Sequence, residues 1–165
     1  MRRLLLLAIA CMLVYSADAQ KLAWQNDAKS NGSEHQFVQF LYPEQVTIAA
    51  GKPAVVDLHF RVNNGLHINS HTPSAKSLIA TQLLVNEPSG VNVATVDFPP
   101  GAEYSPAFDP SQKLSVYTGE FVLHAHVTAR AGQHLVQALL RYQACDANSC
   151  YPPRTAQVAL NVVAK

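Results

Sequence analysis

Four stretches of the chain alternate strictly between apolar and polar positions. Val56, Leu58, Phe60 and Val62 interleave with Val55, Asp57, His59 and Arg61, and Phe121, Leu123, Ala125 and Val127 interleave with Val122, His124, His126 and Thr128. Residues 135–143 (LVQALLRYQ) and 156–163 (AQVALNVV) follow the same rule. A period of two sends successive side chains to opposite faces, so each stretch predicts a strand with one buried face. Weaker alternation near 37–42, 45–49, 81–85 and 91–98 predicts further strands. Turn signals separate them: NNG at 63–65, EPSG at 87–90, TG at 118–119 and RAG at 130–132. No window of a dozen residues carries a helical period with caps, and Ser74–Ile79 offers at most one turn.

Some seven to nine short strands without helices predict an all-β fold, an immunoglobulin-like antiparallel β-sandwich. The sandwich is expected over residues 37–165. Ahead of it, residues 20–36 are polar with one tryptophan and no sustained pattern, which reads as a flexible leader. Residues 1–19 carry Arg2 and Arg3, an apolar run from Leu4 to Val14 and the small-x-small ending Ala17, Asp18, Ala19. That is the pattern of a secretory signal peptide cleaved after Ala19. The run is too short for a membrane span, so the mature chain is expected to be exported without one. Ala8-Ile9-Ala10-Cys11 loosely resembles a lipoprotein cleavage box, which would instead lipidate Cys11. The box lacks the usual leucine three residues before the cysteine.

Composition narrows the partners. A net charge of +1, a pI near 7.8 and 14% charged residues leave no electrostatic footprint for nucleic acid or an anionic membrane. Small molecules or proteins are the expected partners, and the chain is expected to act as a monomer.

The chemistry sits in RYQACDANSCYPPRT, residues 141–155, which holds two of the three cysteines. If Cys11 leaves with the signal peptide, Cys145 and Cys150 remain, and an even pair in an oxidising compartment is normally a disulfide. Predicted strands over 135–144 and 151–163 place 146–149 at a hairpin tip, with a cysteine on each shoulder. Opposed residues of an antiparallel pair have Cα atoms ~4.5 to 5.5 Å apart, within reach of a disulfide. Three readings remain open at this point. As a staple, a six-residue ring contributes roughly 2 kcal/mol, against roughly 4 for a bridge between sheets. As a metal site, two cysteines need further ligands, from His67 and His71 or from His124 and His126, and C-x4-C lacks the usual C-x2-C knuckle. As a redox couple, a disulfide at an accessible tip is open to an attacking thiolate.

The stretch YQACDANSCYPP resembles the active-site hairpin of the N-terminal periplasmic domain of the thiol:disulfide interchange protein DsbD. In that family a Tyr-Gln-x-Cys segment is followed by a second Cys, an aromatic and two prolines. NNGLHINSHTP and VDFPPGAEYSPAFDPSQKLSVYTGE are similar to the family's segment after an early strand and to its cap loop with the strand beyond it. The resemblance covers roughly residues 50–162. It implies an immunoglobulin-like fold and periplasmic thiol-disulfide interchange without a cofactor or metal. Electrons would pass through Cys145 and Cys150 from a thioredoxin-like donor to acceptors in disulfide correction or cytochrome c maturation. It also implies that Cys150 forms the mixed disulfide with a partner and that Cys145 resolves it. The family's membrane-embedded and thioredoxin-like domains have no counterpart in the chain, so the donor is expected to be a separate protein. The alternative is a non-enzymatic immunoglobulin-like binding module in which the bridge is only a clip.

Other residues follow from the same resemblance. Phe108 matches the cap position, implying a lid over the disulfide. His67 and Asn69 stand where the family places two tyrosines near the cysteines, and Tyr142 and Tyr151 flank the pair. The chain departs from the family's pattern in two places. The best-known members have one more residue between the cysteines, and two acidic residues precede the cap phenylalanine where this chain has Pro106 and Ala107. Acid-base help would then come from Asp109, Glu103 or Asp146. Strand cysteines also lack the helix N-terminus that lowers the thiol pKa in CxxC proteins, so a value not far below about 8.5 is expected.

Overall fold

The computed structural model describes residues 36–42, 45–107 and 109–165, and all its regular structure is strand. In chain order these are β1 (Val38–Leu41), β2 (Gln45–Ile48), β3 (Ala54–Val62), β4 (His67–Asn69), β5 (Gln82–Asn86) and β6 (Val91–Asp97), followed by β7 (Ala102–Tyr104), β8 (Leu114–Tyr117), β9 (Glu120–Ala129), β10 (Gly132–Tyr142), β11 (Ala144–Cys145) and β12 (Arg154–Ala164). The expected signal peptide and nearly all of the expected leader lie outside the described residues.

The alternating stretches form the two large sheets. One has the order β1-β3-β9-β6 and the other β2-β12-β10-β5. Their inward residues, among them Leu58, Phe60, Leu123 and Val127 from the first and Val136, Leu140, Val158 and Val162 from the second, belong to one buried cluster. The fold is therefore an immunoglobulin-like β-sandwich. Phe60 is fully buried between Phe40 and Phe121, with ring centroids 5.4 Å away on either side. Pairing is antiparallel except where β2 runs parallel to β12. The chain passes from the first sheet to the second between β1 and β2, beginning at Tyr42, whose φ of 54° is left-handed.

A third, smaller sheet of order β11-β4-β8-β7 accounts for strands that periodicity did not predict. Three of its members have two or three residues, too few to display alternation. The strand expected over 135–144 ends at Tyr142 and resumes as β11 after Gln143. The strand expected from Tyr151 begins only at Arg154, because Pro152 and Pro153 have no N–H to donate. These prolines lie in the link ahead of β12, whose first residues pair with β10 alone and whose last four, Asn161–Ala164, also pair with β2. The 74–79 segment holds one hydrogen-bonded turn, in which Leu78 N–H donates to Ala75 O at 3.1 Å, and no helix.

Candidate functional site

The link from β10 to β12 is the predicted hairpin. Cys145 opposes Cys150 in an isolated antiparallel bridge, and the two form a disulfide. Their Cα atoms are 3.9 Å apart, closer than the ordinary antiparallel spacing. The ring is closed from both sides by backbone bonds: Asp146 N–H donates to Ser149 O at 2.9 Å, and Tyr151 N–H donates to Ala144 O at 2.8 Å. The Gln143 amide also donates across the hairpin to Tyr151 O, at 3.1 Å.

Asp146 organises the tip. Its Oδ1 accepts the Asn148 and Ser149 N–H groups at 2.7 and 2.8 Å, and its Oδ2 accepts the Tyr151 hydroxyl at 2.8 Å. Stabilised by the Asn148 N–H and then by the Tyr151 hydroxyl and Ser149, the carboxyl is held below the usual carboxylate range. The same bond, made to a carboxylate, pushes the Tyr151 phenol up. Asp146 is thus an ionised turn-former, whereas the other acids considered are engaged elsewhere. Glu103 pairs with Lys113 at 2.8 Å, and Asp109 accepts the Ser111 hydroxyl at 2.6 Å.

The two cysteines differ in exposure. Cys145 is 3% exposed, whereas Cys150 lies on the open side of the tip. Cys145 is covered because β11 pairs with β4, which sets Ala144 opposite Ile68 and Cys145 opposite His67. The His67 ring is 5% exposed and packs on Tyr104 of β7, with centroids 4.2 Å apart. Burial lowers its pKa, with the Asp146 carboxylate acting in the opposite direction, so the imidazole is neutral at pH 7. Beside it, a groove of about 320 Å³ is lined by the 63–67 turn, Tyr104, Thr118, Gly119 and Ala147 at the hairpin tip.

The structure brings His67, Cys145, Cys150, Asp146 and Tyr151 together, and it places the other predicted residues elsewhere. Asn69 is buried with its amide on Ile79 O at 3.1 Å, while its own carbonyl accepts the Thr81 hydroxyl at 2.6 Å. It fastens the 70–81 loop to β4. Tyr142 is fully buried in the core, where its hydroxyl accepts the Phe37 N–H at 3.2 Å. Phe37 in turn packs against Tyr151 at 4.7 Å and under the Arg154 guanidinium at 5.1 Å. Phe108 lies outside the described residues. The histidines considered as metal ligands diverge. His71 stacks on Phe98 at 4.0 Å, and His124 and His126 pair with Asp57 and Asp97 on the face of the first sheet. Among the described residues no three His, Cys, Asp or Glu side chains converge as metal ligands. Sequence reasoning missed Tyr104, which lies on a three-residue strand inside what reads as a long loop.

A β-sandwich carrying a disulfide at the tip of an inter-strand hairpin, one cysteine buried and the other open, leaves one sulfur accessible to an attacking thiolate. The family model for the N-terminal domain of the thiol:disulfide interchange protein DsbD matches residues 37–162, and the chain belongs to that periplasmic family. No curated protein matches the chain. Among solved structures, the N-terminal periplasmic domain of ScsB from Proteus mirabilis matches with 13% identity over 69% of this chain and 42% of its own, at a TM-score of 0.50. This likeness speaks to the fold alone. The DsbD N-terminal domain of Neisseria meningitidis in the reduced form matches at 19% identity over 67% of this chain and 79% of its own, with a TM-score of 0.44. The same domain in complex with the PilB N-terminal domain matches at 22% identity over 64% and 73%, with a TM-score of 0.41. Among the described residues no helix is long and apolar enough to cross a membrane.

Proposed function

We propose that the chain carries electron pairs through Cys145 and Cys150, taking them from a thioredoxin-like donor and passing them to periplasmic acceptors in disulfide correction or cytochrome c maturation. The observation that carries this reading is the unequal exposure of two bonded cysteines on one hairpin. A disulfide opens when a thiolate attacks one sulfur, and Cys150 is the residue that offers an approach. The donor thiolate bonds to Cys150 Sγ, the Sγ–Sγ bond breaks, and Cys145 Sγ leaves with the electron pair and takes up a proton. The donor's second thiolate then attacks its own sulfur in the mixed disulfide, which releases Cys150 as a thiolate and leaves the donor oxidised. Delivery to an acceptor runs the same steps in the opposite sense: Cys150 attacks the acceptor disulfide, and Cys145 resolves the product. Export precedes both, with cleavage after Ala19 leaving Gln20 at the mature N-terminus. An intact mass that retains Cys11 with lipid attached would replace this with a membrane anchor.

Substitution separates the roles. Cys145→Ser is expected to accumulate mixed disulfides through Cys150, and Cys150→Ser to accumulate few, as read on non-reducing gels after acid quench. Equal trapping by both variants would reverse the assignment, and no trapping by either would favour a structural clip. A reduction potential near about −200 mV fits a carrier, while one below about −300 mV fits an inert bond.

A further inference from the structure

We propose that His67 is the general base that takes the proton from Cys145 when that thiol resolves the mixed disulfide on Cys150. The inference rests on the carrier reading above and adds a residue to it.

Resolution needs a thiolate at Cys145, and its surroundings oppose one. The residue is buried on a strand, and burial disfavours the charged form of a thiol. Some neighbour must accept the proton as the sulfur attacks. Asp146 has both carboxylate oxygens engaged by Asn148, Ser149 and Tyr151. Tyr151 is itself a proton donor in that set, and Glu103 and Asp109 are held by Lys113 and Ser111.

His67 is differently placed. It is the residue directly opposite Cys145 in the β4–β11 pair, and directly opposed residues share a face with Cβ atoms ~4.5 to 5.5 Å apart. Its ring is fixed against Tyr104, and among the described residues no hydrogen bond engages either ring nitrogen. The titratable groups that face it are Cys145 on β11, Tyr104 on β7 and Asp146 at the tip. Burial keeps the imidazole neutral, with a lone pair to offer, and the Asp146 carboxylate favours the imidazolium once it forms.

The step balances without an added reagent. The Cys145 Sγ–H bond breaks and its proton passes to an imidazole nitrogen. Cys145 Sγ bonds to Cys150 Sγ, and the acceptor's sulfur departs with the electron pair as a thiolate. The cysteine pair is oxidised and the acceptor is reduced. The imidazolium then returns its proton to the leaving thiolate or to water in the adjoining groove. A carboxylate with a depressed pKa is too weak a base for this at neutral pH, which is why His67 and not Asp146 is assigned.

The reduced mature chain, which begins at Gln20 and so lacks the Cys11 thiol, forms a mixed disulfide at exposed Cys150 when mixed with 5,5′-dithiobis(2-nitrobenzoate). Release of the second thionitrobenzoate then reports attack by Cys145. In the wild type this second phase is expected to stay nearly flat from about pH 6.5 to about pH 8, where imidazole is the base. In His67→Gln it should be slower by about 10²-fold at the acid end and climb in proportion to hydroxide. Imidazole added to solution should speed His67→Ala and leave the wild type unchanged. Parallel profiles for wild type and His67→Gln would overturn the proposal. A wild-type rate that climbs with hydroxide would do so too, even if every variant misfolded. If Cys150 labels but the wild type releases no second equivalent, the carrier reading fails first and the role of His67 falls with it.

Discussion

Two side chains at the hairpin tie its behaviour to pH, in opposite chemical senses but with one sign. Asp146 has a lower pKa folded than unfolded, so its contribution is complete above the ordinary carboxylate value and is lost as pH falls through the folded one. The tip should therefore loosen only in strong acid. Amide exchange of Asn148 and Ser149, followed by NMR, is expected to be faster in Asp146→Ala than in the wild type at about pH 6, with the difference shrinking as the pH falls below the ordinary carboxylate range. A difference that does not shrink there would mean that charge on Asp146 is not what orders the turn. His67 is also lower folded than unfolded, because burial disfavours the imidazolium. The unfolded chain then binds the proton first, and stability falls as pH drops below the ordinary histidine range. The urea midpoint should decline from about pH 7 to about pH 5, and His67→Gln should flatten that decline. The cysteines themselves were legible in the sequence because their relation is local, five positions apart across a turn. The nearness of His67 to Cys145 was legible only through the family resemblance and not from periodicity, since it depends on the pairing of two strands far apart in the chain, each of two or three residues.

Among the elements, the long strands could be read because alternation repeats over nine to eleven residues in β3, β9, β10 and β12. The third sheet could be read only in part, from the end of the 135–144 strand and from the family resemblance, although it presents the site. Its β7 is seated by a close approach at Gly101, just before the strand begins. A Cβ there would meet Ser115 Oγ and would come within 2.7 Å of Ser70 Cβ, next to the 2.8 Å hydrogen bond between those two serine hydroxyls. Gly101→Ala must push β7 outward or break that bond. A loss of about 1–3 kcal/mol is expected, as for other overpacked sites. Because β7 carries Tyr104, the displacement should also unseat the His67 ring, visible as a shifted imidazole resonance. Destabilisation without any such shift would show that β7 and His67 are independent.

For the molecule as a whole, stability should reside between the two large sheets and not in the hairpin. Phe60→Ala, at a fully buried ring that packs on both Phe40 and Phe121, is expected to cost about 3–5 kcal/mol in urea unfolding. Leu139→Ala, at a leucine 40% exposed on the outer face of β10, should stay within about 0.5 kcal/mol. The parallel register of β2 on β12 bears on how the chain reaches this state. It joins Gln45 to Asn161 and Ile48 to Ala164, nearly the two ends of the domain, whereas the disulfide joins residues five apart. Contacts that span a whole chain form slowly, because the entropy of closing the loop comes before any reward. Cross-linking so small a ring removes little of that search. Oxidised and reduced chains should therefore refold at nearly equal rates in stopped-flow experiments. A carrier that folds equally well with its disulfide made or broken could enter the periplasm in either oxidation state and still arrive at the same fold.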